Sequence, residues 1–278
     1  MLEHHGEMRQ LSPKDLAQAL GVSESSMKRW VDAGKLIAMR TDGGHRRISV
    51  AEAVRFIRET GAEVVHPEML GMPEIARAGS ERLLHHLERG DAPGARGYLL
   101  GRYLGGASVE ELCDGPVREA MHALGELWRH DEAGIFIEHR GTDSCLQALA
   151  QLRTMFTPPA DAPIALGATP EDDPYLLPTF MAAMVMASCG MRAVNLGPDT
   201  PVQALAAAAQ EHQPKLVWIS ASAPLPQVRA KALADWLRSL PASTATVVGG
   251  RHSQAIAAHG VHRVESMTEL ANFARGVS

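Results

Sequence analysis

Arg40-Thr41-Asp42-Gly43-Gly44-His45-Arg46-Arg47-Ile48 is the stretch on which the reading of the N-terminal region turns. Asp-Gly-Gly supplies the positive φ angles of a tight hairpin. The β-branched Ile37 before it and Ile48 after it suit two short strands. Four cationic or near-cationic groups, Arg40, His45, Arg46 and Arg47, crowd this tip. A hairpin that holds its charges clear of any core is suited to gripping a phosphate backbone.

The residues upstream extend the pattern. Ser12 and Pro13 open a helix as N-cap and first-turn residue, with Leu16, Ala19 and Leu20 as its apolar side. Gly21-Val22-Ser23 forms a turn, and Ser23 caps a second helix that carries Ser25, Ser26, Lys28, Arg29 and Trp30 and stops near Gly34. Two short helices joined by a glycine turn make a helix-turn-helix whose second helix enters the major groove of double-stranded DNA. In this reading Ser25, Ser26, Lys28 and Arg29 face base edges, while Arg40, Gly43, Gly44, His45, Arg46 and Arg47 form the wing. From Ser26 to Arg47 there are six Lys/Arg against two Asp, a net of +4 in a chain of net −5. Positive charge is concentrated where a nucleic-acid footprint needs it. The competing reading is a solvated charged hairpin on an enzyme.

Composition sets wider bounds. A chain of 278 residues, 45% hydrophobic and 21% charged, has material for two or three packed domains. Cys113, Cys145 and Cys189 are odd in number, widely spaced and free of any Cys-x-x-Cys. That usage fits a reducing cytoplasm and argues against a disulfide framework or a zinc knuckle. No apolar run approaches a membrane span, and no signal-peptide stretch is expected, so no membrane partner is expected either. The thirteen histidines are scattered, with no His-x-x-x-His on a helix face, and no metal site is expected. Gly197, Gly249 and Gly250 make neither a Gly-x-Gly-x-x-Gly nor a Walker pattern, which lowers nucleotide-dependent redox and ATPase roles.

Along the chain, residues 9–61 read as a winged helix-turn-helix (α+β), and 62–79, with Pro67, Gly71 and Pro73, as a linker. Residues 80–157 carry apolar positions at helical spacing: Leu83, Leu84 and Leu87; Tyr98, Leu99 and Tyr103; Val117, Met121, Leu124 and Leu127; Cys145, Leu146, Leu149, Leu152 and Met155. Breaks near Gly90-Asp91, Gly105-Gly106 and Asp131-Gly134 divide them into the helices of a small all-α bundle. Residues 162–278 change character. Strands are expected at 164–168, 193–197, 216–220, 246–250 and briefly at 262–264, alternating with helices at 178–189, 201–211 and 225–240 and two short ones near the end. That alternation predicts an α/β, Rossmann-like, doubly wound parallel sheet, with any ligand outside the carboxyl ends of its strands. Trp218 in mid-strand reads as buried packing, and Trp30 as core of the head.

The run LSPKDLAQALGVSESSMKRWVDAGKL followed by RTDGGHRRIS resembles the MerR superfamily of winged-helix DNA-binding domains over roughly residues 9 to 60. The whole order, such a head followed by a bundle and a Rossmann-like domain, resembles the cobalamin-binding-domain MerR regulators, the CarH/LitR-type photoreceptor repressors. In that family a bundle Trp, nine residues and then Glu-His cap the corrinoid's upper face; here nine residues separate Trp128 from Glu138-His139. The family's Leu-Gly-Pro-Asp-Thr-Pro is intact as Leu196, Gly197, Pro198, Asp199, Thr200 and Pro201. Its third-strand serines correspond to Ser220 and Ser222, and its Gly-Gly to Gly249 and Gly250. The resemblance implies that these regions accept the nucleotide tail of cobalamin, with adenosylcobalamin as cofactor, light-dependent assembly into a dimer or tetramer, and no enzymatic activity.

The sequence departs from the family where a His would bind cobalt from below. The family's Asp/Glu-x-His-x-x-Gly reads Asp173-Pro174-Tyr175-Leu176-Leu177-Pro178, with Tyr175 in the His position and Pro178 in the Gly position. A neutral phenol, with a pKa near 10, is a poor cobalt ligand. Arg129 also stands directly after Trp128, where light-adapted relatives use a His. Three readings therefore stay open: a cobalamin bound without a His lower ligand; a different tetrapyrrole or flat aromatic cofactor; and a ligand-free domain used for assembly. A corrinoid protein of a methyltransferase system is a fourth, less favoured because such proteins depend on the missing His.

Overall fold

The computed structural model describes residues 10–41, 43–73, 75, 82–127 and 132–277. The chain divides into two units, Met1–Ser108 with Glu119–Met155, and Val109–Arg118 with Phe156–Ser278.

The head begins with β1 (Gln10–Leu11), α1 (Pro13–Ala19) and α2 (Glu24–Asp32). β2 (Met39–Arg40), β3 (Arg46–Ser49) and α3 (Val50–Thr60) complete it. The strands pair antiparallel in the order β1-β3-β2, with Leu11 opposite Ile48 and Arg40 opposite Arg46. Ser12 caps α1 in a reciprocal box, its Oγ accepting from Asp15 N (3.1 Å) while Ser12 N donates to Asp15 Oδ2 (2.9 Å). Ser23 and Ser49 cap α2 and α3 in turn. Leu11, Leu16, Met27, Leu36, Ile48, Phe56 and Ile57 bury completely between these elements. Ile37, expected within a strand, lies before β2 and is exposed.

The segment expected to be a linker is docked over its first part. Val65 N and His66 N donate to Ala19 O, and a short 3-10 turn, Pro67–Leu70, packs against α1. Leu70 and Met72 are buried. Two apolar residues in a turn carry no periodicity, so nothing in the local sequence marks them as core.

The bundle helices are α4 (Leu83–Glu88), α5 (Ala92–Leu104), α7 (Arg118–Leu127) and α8 (Glu132–Arg153). Asp91 starts α5: Gly94 N donates to its Oδ1 (3.0 Å), and Oδ2 lies 2.9 Å from Nδ1 of the buried His86. The Gly94 N–H above all, with the His86 imidazole adding to it against the effect of burial, holds the Asp91 carboxyl below its ordinary value of 3.8. A carboxylate lowered in this way contributes stability that is complete above 3.8 and is lost as pH falls through the folded value. Asp91→Asn keeps an acceptor for Gly94 but cannot titrate. Wild type is therefore expected to lose its stability advantage over Asp91→Asn progressively as pH falls below about 4, read from urea midpoints, and a constant difference would remove this assignment.

At the far end of α5, Arg58 of α3 stacks over the Tyr103 ring, 3.8 Å from its centroid. Its Nη1 donates to the carbonyls of Tyr103 and Ala107, the latter at 2.8 Å. One guanidinium thus satisfies carbonyls at and beyond a helix C-terminus and ties the head to the bundle.

In the second unit, β4 (Ile164–Ala168), β5 (Arg192–Asn195), β6 (Leu216–Ser220) and β7 (Ala245–Gly249) form a parallel sheet in the order β5-β4-β6-β7. Its helices are α9 (Leu176–Ser188), α10 (Val202–His212), α11 (Gln227–Ser239), α12 (Gln254–Ala257) and α13 (Met267–Arg275). Leu166, Val217, Ile219 and Val248 bury one face of the sheet with Leu205, Leu233 and Leu237. Every residue of β6 is buried, as both-sided cover by crossover helices requires. α9 starts two residues before the expected Pro178, because a proline is tolerated in a first turn whose N–H groups have no helical partner. The strand expected at 262–264 is only an isolated bridge between Val248 and Arg263.

One piece read as bundle belongs with the sheet. α6 (Val109–Leu112) runs into a π-turn, Cys113–Val117, and both lie against α13. Asp114 accepts from Met267 N (2.9 Å), Thr268 N (2.9 Å) and Thr268 Oγ1 (2.8 Å), capping α13 from far away in sequence. At the other end of α13, Arg275 pairs with the largely buried Glu110 at 2.5 Å. Among the described residues no helix is long and apolar enough to cross a membrane.

Candidate DNA-binding face and sheet mouth

α2 presents Ser25, Lys28 and Arg29 to solvent, while Met27 faces the core. Ser26 is half-buried, its Oγ 3.0 Å from that of the cap residue Ser23. Behind them Trp30 packs on Phe56 with ring centroids 5.0 Å apart, so this tryptophan sits against the head's core, as expected. The wing closes through Thr41 N to His45 O (2.9 Å), Gly44 N to Thr41 O (2.7 Å) and His45 N to Thr41 Oγ1 (3.2 Å). Asp42, part of the motif, lies outside the described residues. Arg40, Gly43, Gly44 and His45 are exposed.

The two adjacent arginines separate by strand alternation. Arg46 shares its face with the buried Ile48 and donates from Nη2 to Asp32 Oδ1 of α2 at 2.6 Å. Arg47 points the other way and has the exposed Met39 as its cross-strand neighbour. Arg46 therefore braces the wing against α2, and Arg40, His45 and Arg47 are the wing's outward groups. Sequence reading grouped all four cations because the Asp32 partner, fourteen positions away, leaves no local mark.

In the bundle, Trp128 lies outside the described residues. Glu138 and His139 sit on α8, with Glu138 Oε1 accepting from Thr142 Oγ1 (3.0 Å) and Oε2 lying 3.5 Å from His139 Nε2. His139 is exposed. Ile135 and Phe136, four and three residues before it, share its helix face and are also exposed, at 48% and 61%. The sequence reading passed over this pair; four consecutive residues 133–136, Ala-Gly-Ile-Phe, at a helix start are the signal available.

The mouth of the sheet centres on the β4–β6 pair, where the connecting helices depart to opposite faces; ligands of doubly wound sheets bind at this switch point. Asp173, 2% exposed, is the hub. Its Oδ2 accepts from Ser222 N (2.6 Å) and Ala223 N (2.9 Å), and its Oδ1 from Tyr175 N (3.2 Å). Its backbone carbonyl takes Thr169 Oγ1 (2.7 Å) and Asp199 N (3.0 Å), and Asp172 N donates to Asp199 Oδ1 (2.8 Å). The loops after β4, β5 and β6 are thereby stitched together, and Asp173 and Asp199 hold backbone in place. Thr200 is buried with its Oγ1 3.3 Å from Gly197 O, and Ser220 is buried at the end of β6.

Around the hub, Tyr175, Leu176 and Leu196 are exposed apolar side chains, at 56%, 36% and 36%. Pro198 and Asp199 are exposed beside Leu196. Tyr175 is the N-cap residue of α9 and makes no side-chain cap. Arg229 of α11 pairs with Asp172 and lies 3.8 Å from Glu171. The hydrogen bond that Arg229 donates to Asp172 and then the surrounding carboxylates raise the Arg229 pKa. Arg229 thus partners both acids.

Gly249 and Gly250 reach the mouth from β7. Gly250 has φ +98°, and a Cβ there would lie 2.5 Å from Ala221 O. Ala221 N donates to Gly249 O and His252 N to Ala221 O, so Gly250 is required by the approach of one loop to another.

Below the mouth the interior is closed. Trp218 of β6 is register partner to Gly167 of β4. A Cβ on Gly167 would lie 2.1 Å from two atoms of the indole. Trp218 Nε1 donates to Thr179 Oγ1 of α9 (3.2 Å), which donates to Asn195 Oδ1 (2.8 Å). The tryptophan is 2% exposed and fills the space between the strands and α9.

Residues 11–61 match the family model of a helix-turn-helix domain, and residues 80–153 that of a B12 binding domain. The chain thus carries a helix-turn-helix domain joined to a B12-binding domain and a parallel sheet with helices. A search of curated proteins returns no match. Among solved structures the chain is similar to the monomethylamine corrinoid protein of Methanosarcina barkeri, at 19% identity over 70% of this chain and 96% of that one, with a TM-score of 0.55. It is also similar to the methanol:cobalamin methyltransferase complex MtaBC of Methanosarcina barkeri (14%, 79% and 87%, TM-score 0.39). A third is a novel cobalamin-binding protein of Desulfitobacterium hafniense DCB-2 (18%, 70% and 97%, TM-score 0.38). At these identities the first likeness speaks for fold, and the other two carry no argument.

Proposed function

We propose that this chain is a cytoplasmic, MerR-type DNA-binding transcriptional regulator whose C-terminal part binds a cobalamin and uses it to control assembly and DNA binding. The observation that carries this reading is the union, in one chain, of a helix-turn-helix domain at 11–61 and a B12-binding domain at 80–153. Lys28, Arg29, Arg40, His45 and Arg47 form the DNA-facing set, with Ser25 and Ser26 on the recognition helix. One winged helix makes few contacts, so tight operator binding needs a dimer or tetramer. Light response enters from the resemblance to photoreceptor repressors and is part of the test below.

The residues present suit a corrinoid as a contact surface and not as a metal-ligand set. Ile135, Phe136 and His139 on the bundle, and Tyr175, Leu176 and Leu196 on the sheet, offer exposed apolar and aromatic faces. When bound, the corrinoid would supply a cobalt centre whose upper bond responds to light. The sheet unit's own part is to offer the ring the face of Tyr175, Leu176 and Leu196, with Asp173 keeping the loops that bear Tyr175 and Ser222 in register.

The chain acts as a regulator rather than as an enzyme: a DNA-binding head has no role on a methyl carrier. Burial pushes the Cys145 thiol up to about 12 and also raises that of Cys189. Among the described residues no cluster of metal-ligating side chains forms.

Purified protein mixed with adenosylcobalamin in the dark and desalted is expected to retain corrinoid absorbance and to shift operator DNA differently before and after illumination. Protein that retains no corrinoid ends the cobalamin reading. A preparation coloured without added ligand would instead favour another tetrapyrrole or flat aromatic cofactor, which the exposed Tyr175 also suits.

A further inference from the structure

A cobalamin carries its own nucleotide base, either coordinated to cobalt from below or detached. Detachment has two requirements: a protein atom that takes the vacated cobalt position, and a slot in the protein that buries the freed base.

The loop after β4, Thr169 to Tyr175, is the segment at the switch point from which a protein ligand would reach upward. It contains no His, Cys, Lys or Met. Its exposed side chain beside α9 is the phenol of Tyr175. Asp173 is turned inward, with both carboxylate oxygens taken by the N–H groups of Ser222, Ala223 and Tyr175. Freeing it would strand three donors without a partner. The loop offers cobalt no imidazole, thiol, amine or thioether.

The slot is closed as well. Moving down β6 from the mouth on the α9 side, the first side chain below Ser220 on that face is Trp218. Its indole, a fused aromatic bicycle of benzimidazole size, lies against Gly167 so closely that even a methyl group there would collide. Its N–H is consumed by Thr179 of α9, and Thr179 in turn by Asn195. Gly167 and Trp218 form a matched pair: the strand lacks a side chain where the neighbouring strand has the largest one. A second bicycle has no room between β4, β6 and α9. Pro178, half-buried in the first turn of α9, adds a ring at the entrance.

From these two observations we infer that the chain accepts a cobalamin only with its own base kept on cobalt, the protein supplying no lower ligand and Trp218 filling the slot that a detached base needs. The inference rests on the proposed cobalamin reading and deepens it by naming the form of the ligand. The base-bearing tail then stays outside the sheet, at a rim that carries Asp172, Asp199, Tyr175 and Leu196.

The test uses the full chain, uniformly labelled with nitrogen-15 and loaded separately with unlabelled cob(II)alamin and with cob(II)inamide, which has no base. Electron paramagnetic resonance of the cobalt reads which nitrogen is attached. The cofactor's own base gives a nitrogen-14 triplet, a protein nitrogen gives a nitrogen-15 doublet, and no nitrogen gives neither. The expected result is a triplet with cob(II)alamin and no nitrogen splitting with cob(II)inamide. A doublet with either corrinoid, or loss of the triplet with cob(II)alamin, would overturn the inference while leaving cobalamin binding intact. Retention of neither corrinoid on desalting would overturn the cobalamin reading and this inference with it. In a second arm the double substitution Trp218→Val with Tyr175→His removes the plug and supplies a ligand, and the cob(II)alamin triplet is expected to give way to a doublet. A triplet that persisted in the folded double variant would overturn the part assigned to Trp218.

Discussion

Gly167→Ala is expected to destabilise the sheet unit by roughly 3 kcal/mol, the upper end of what one inserted methyl group costs in a packed core. The reason is geometric. The new Cβ would lie 2.1 Å from two atoms of the Trp218 ring. The ring has nowhere to go, being 2% exposed and held through its N–H by Thr179. Trp218→Val alone is also destabilising, by roughly 3 kcal/mol, because it leaves a cavity and removes the partner of a buried hydroxyl. The two changes made together relieve one another, since the methyl group enters space that the indole has left. The expected signature is therefore non-additivity, with the double variant more stable than the sum of the single costs predicts by about 1–3 kcal/mol. Urea denaturation followed by circular dichroism measures all four corners of the cycle. Simple additivity would show that Gly167 and Trp218 do not share one space, and the closed slot beneath the mouth would go with it.

This pair also shows where sequence reading stops. β4 and β6 were legible to the residue, because Ile164–Ala168 and Leu216–Ser220 are continuous apolar runs bounded by turns. The caps Ser12, Ser23 and the Gly61 end of α3 were legible because capping is decided within four residues. Trp218 read correctly as buried, but what it fills depends on Gly167, fifty-one positions earlier and joined only by strand pairing. Asp114 on α13, Arg58 on the end of α5 and Asp32 on Arg46 are likewise single polar contacts between distant segments. Such contacts are chosen by the finished fold and leave no periodicity. The acidic loop Glu171-Asp172-Asp173 divides the same way: its charge was plain, while the inward turn of Asp173 onto Ser222 and the outward pairing of Asp172 with Arg229 are not encoded locally. The substitution of Tyr175 for a ligating His was readable, since it needs only alignment to a motif. The closed slot was not, because it needs two strands and a helix.

The same distinction governs the wing. Arg46 and Arg47 are equivalent in sequence, yet one braces the hairpin and the other faces outward. Arg47→Ala is expected to weaken DNA binding for specific and non-specific sequences alike and to lower the slope of log K against log salt by about 1, the signature of one lost phosphate contact. Lys28→Ala with Arg47→Ala is expected to lower that slope by about 2 and to cost roughly tenfold to a hundredfold in affinity at low salt. Arg46→Ala is expected to leave the slope nearly unchanged. It removes an exposed ion pair to Asp32, 2.6 Å long and half-solvated on the acid side, whose worth is about 0.2–1 kcal/mol of head stability. Its effect on DNA comes only through a looser wing, so it should be matched by a small loss in the head's urea midpoint, which Arg47→Ala does not produce. Fluorescence anisotropy titrations over a salt series, with urea melts of the same variants, separate the two arginines. If Arg46→Ala lowers the slope as far as Arg47→Ala does, the ion pair with Asp32 yields to DNA on binding, and the wing grips with both.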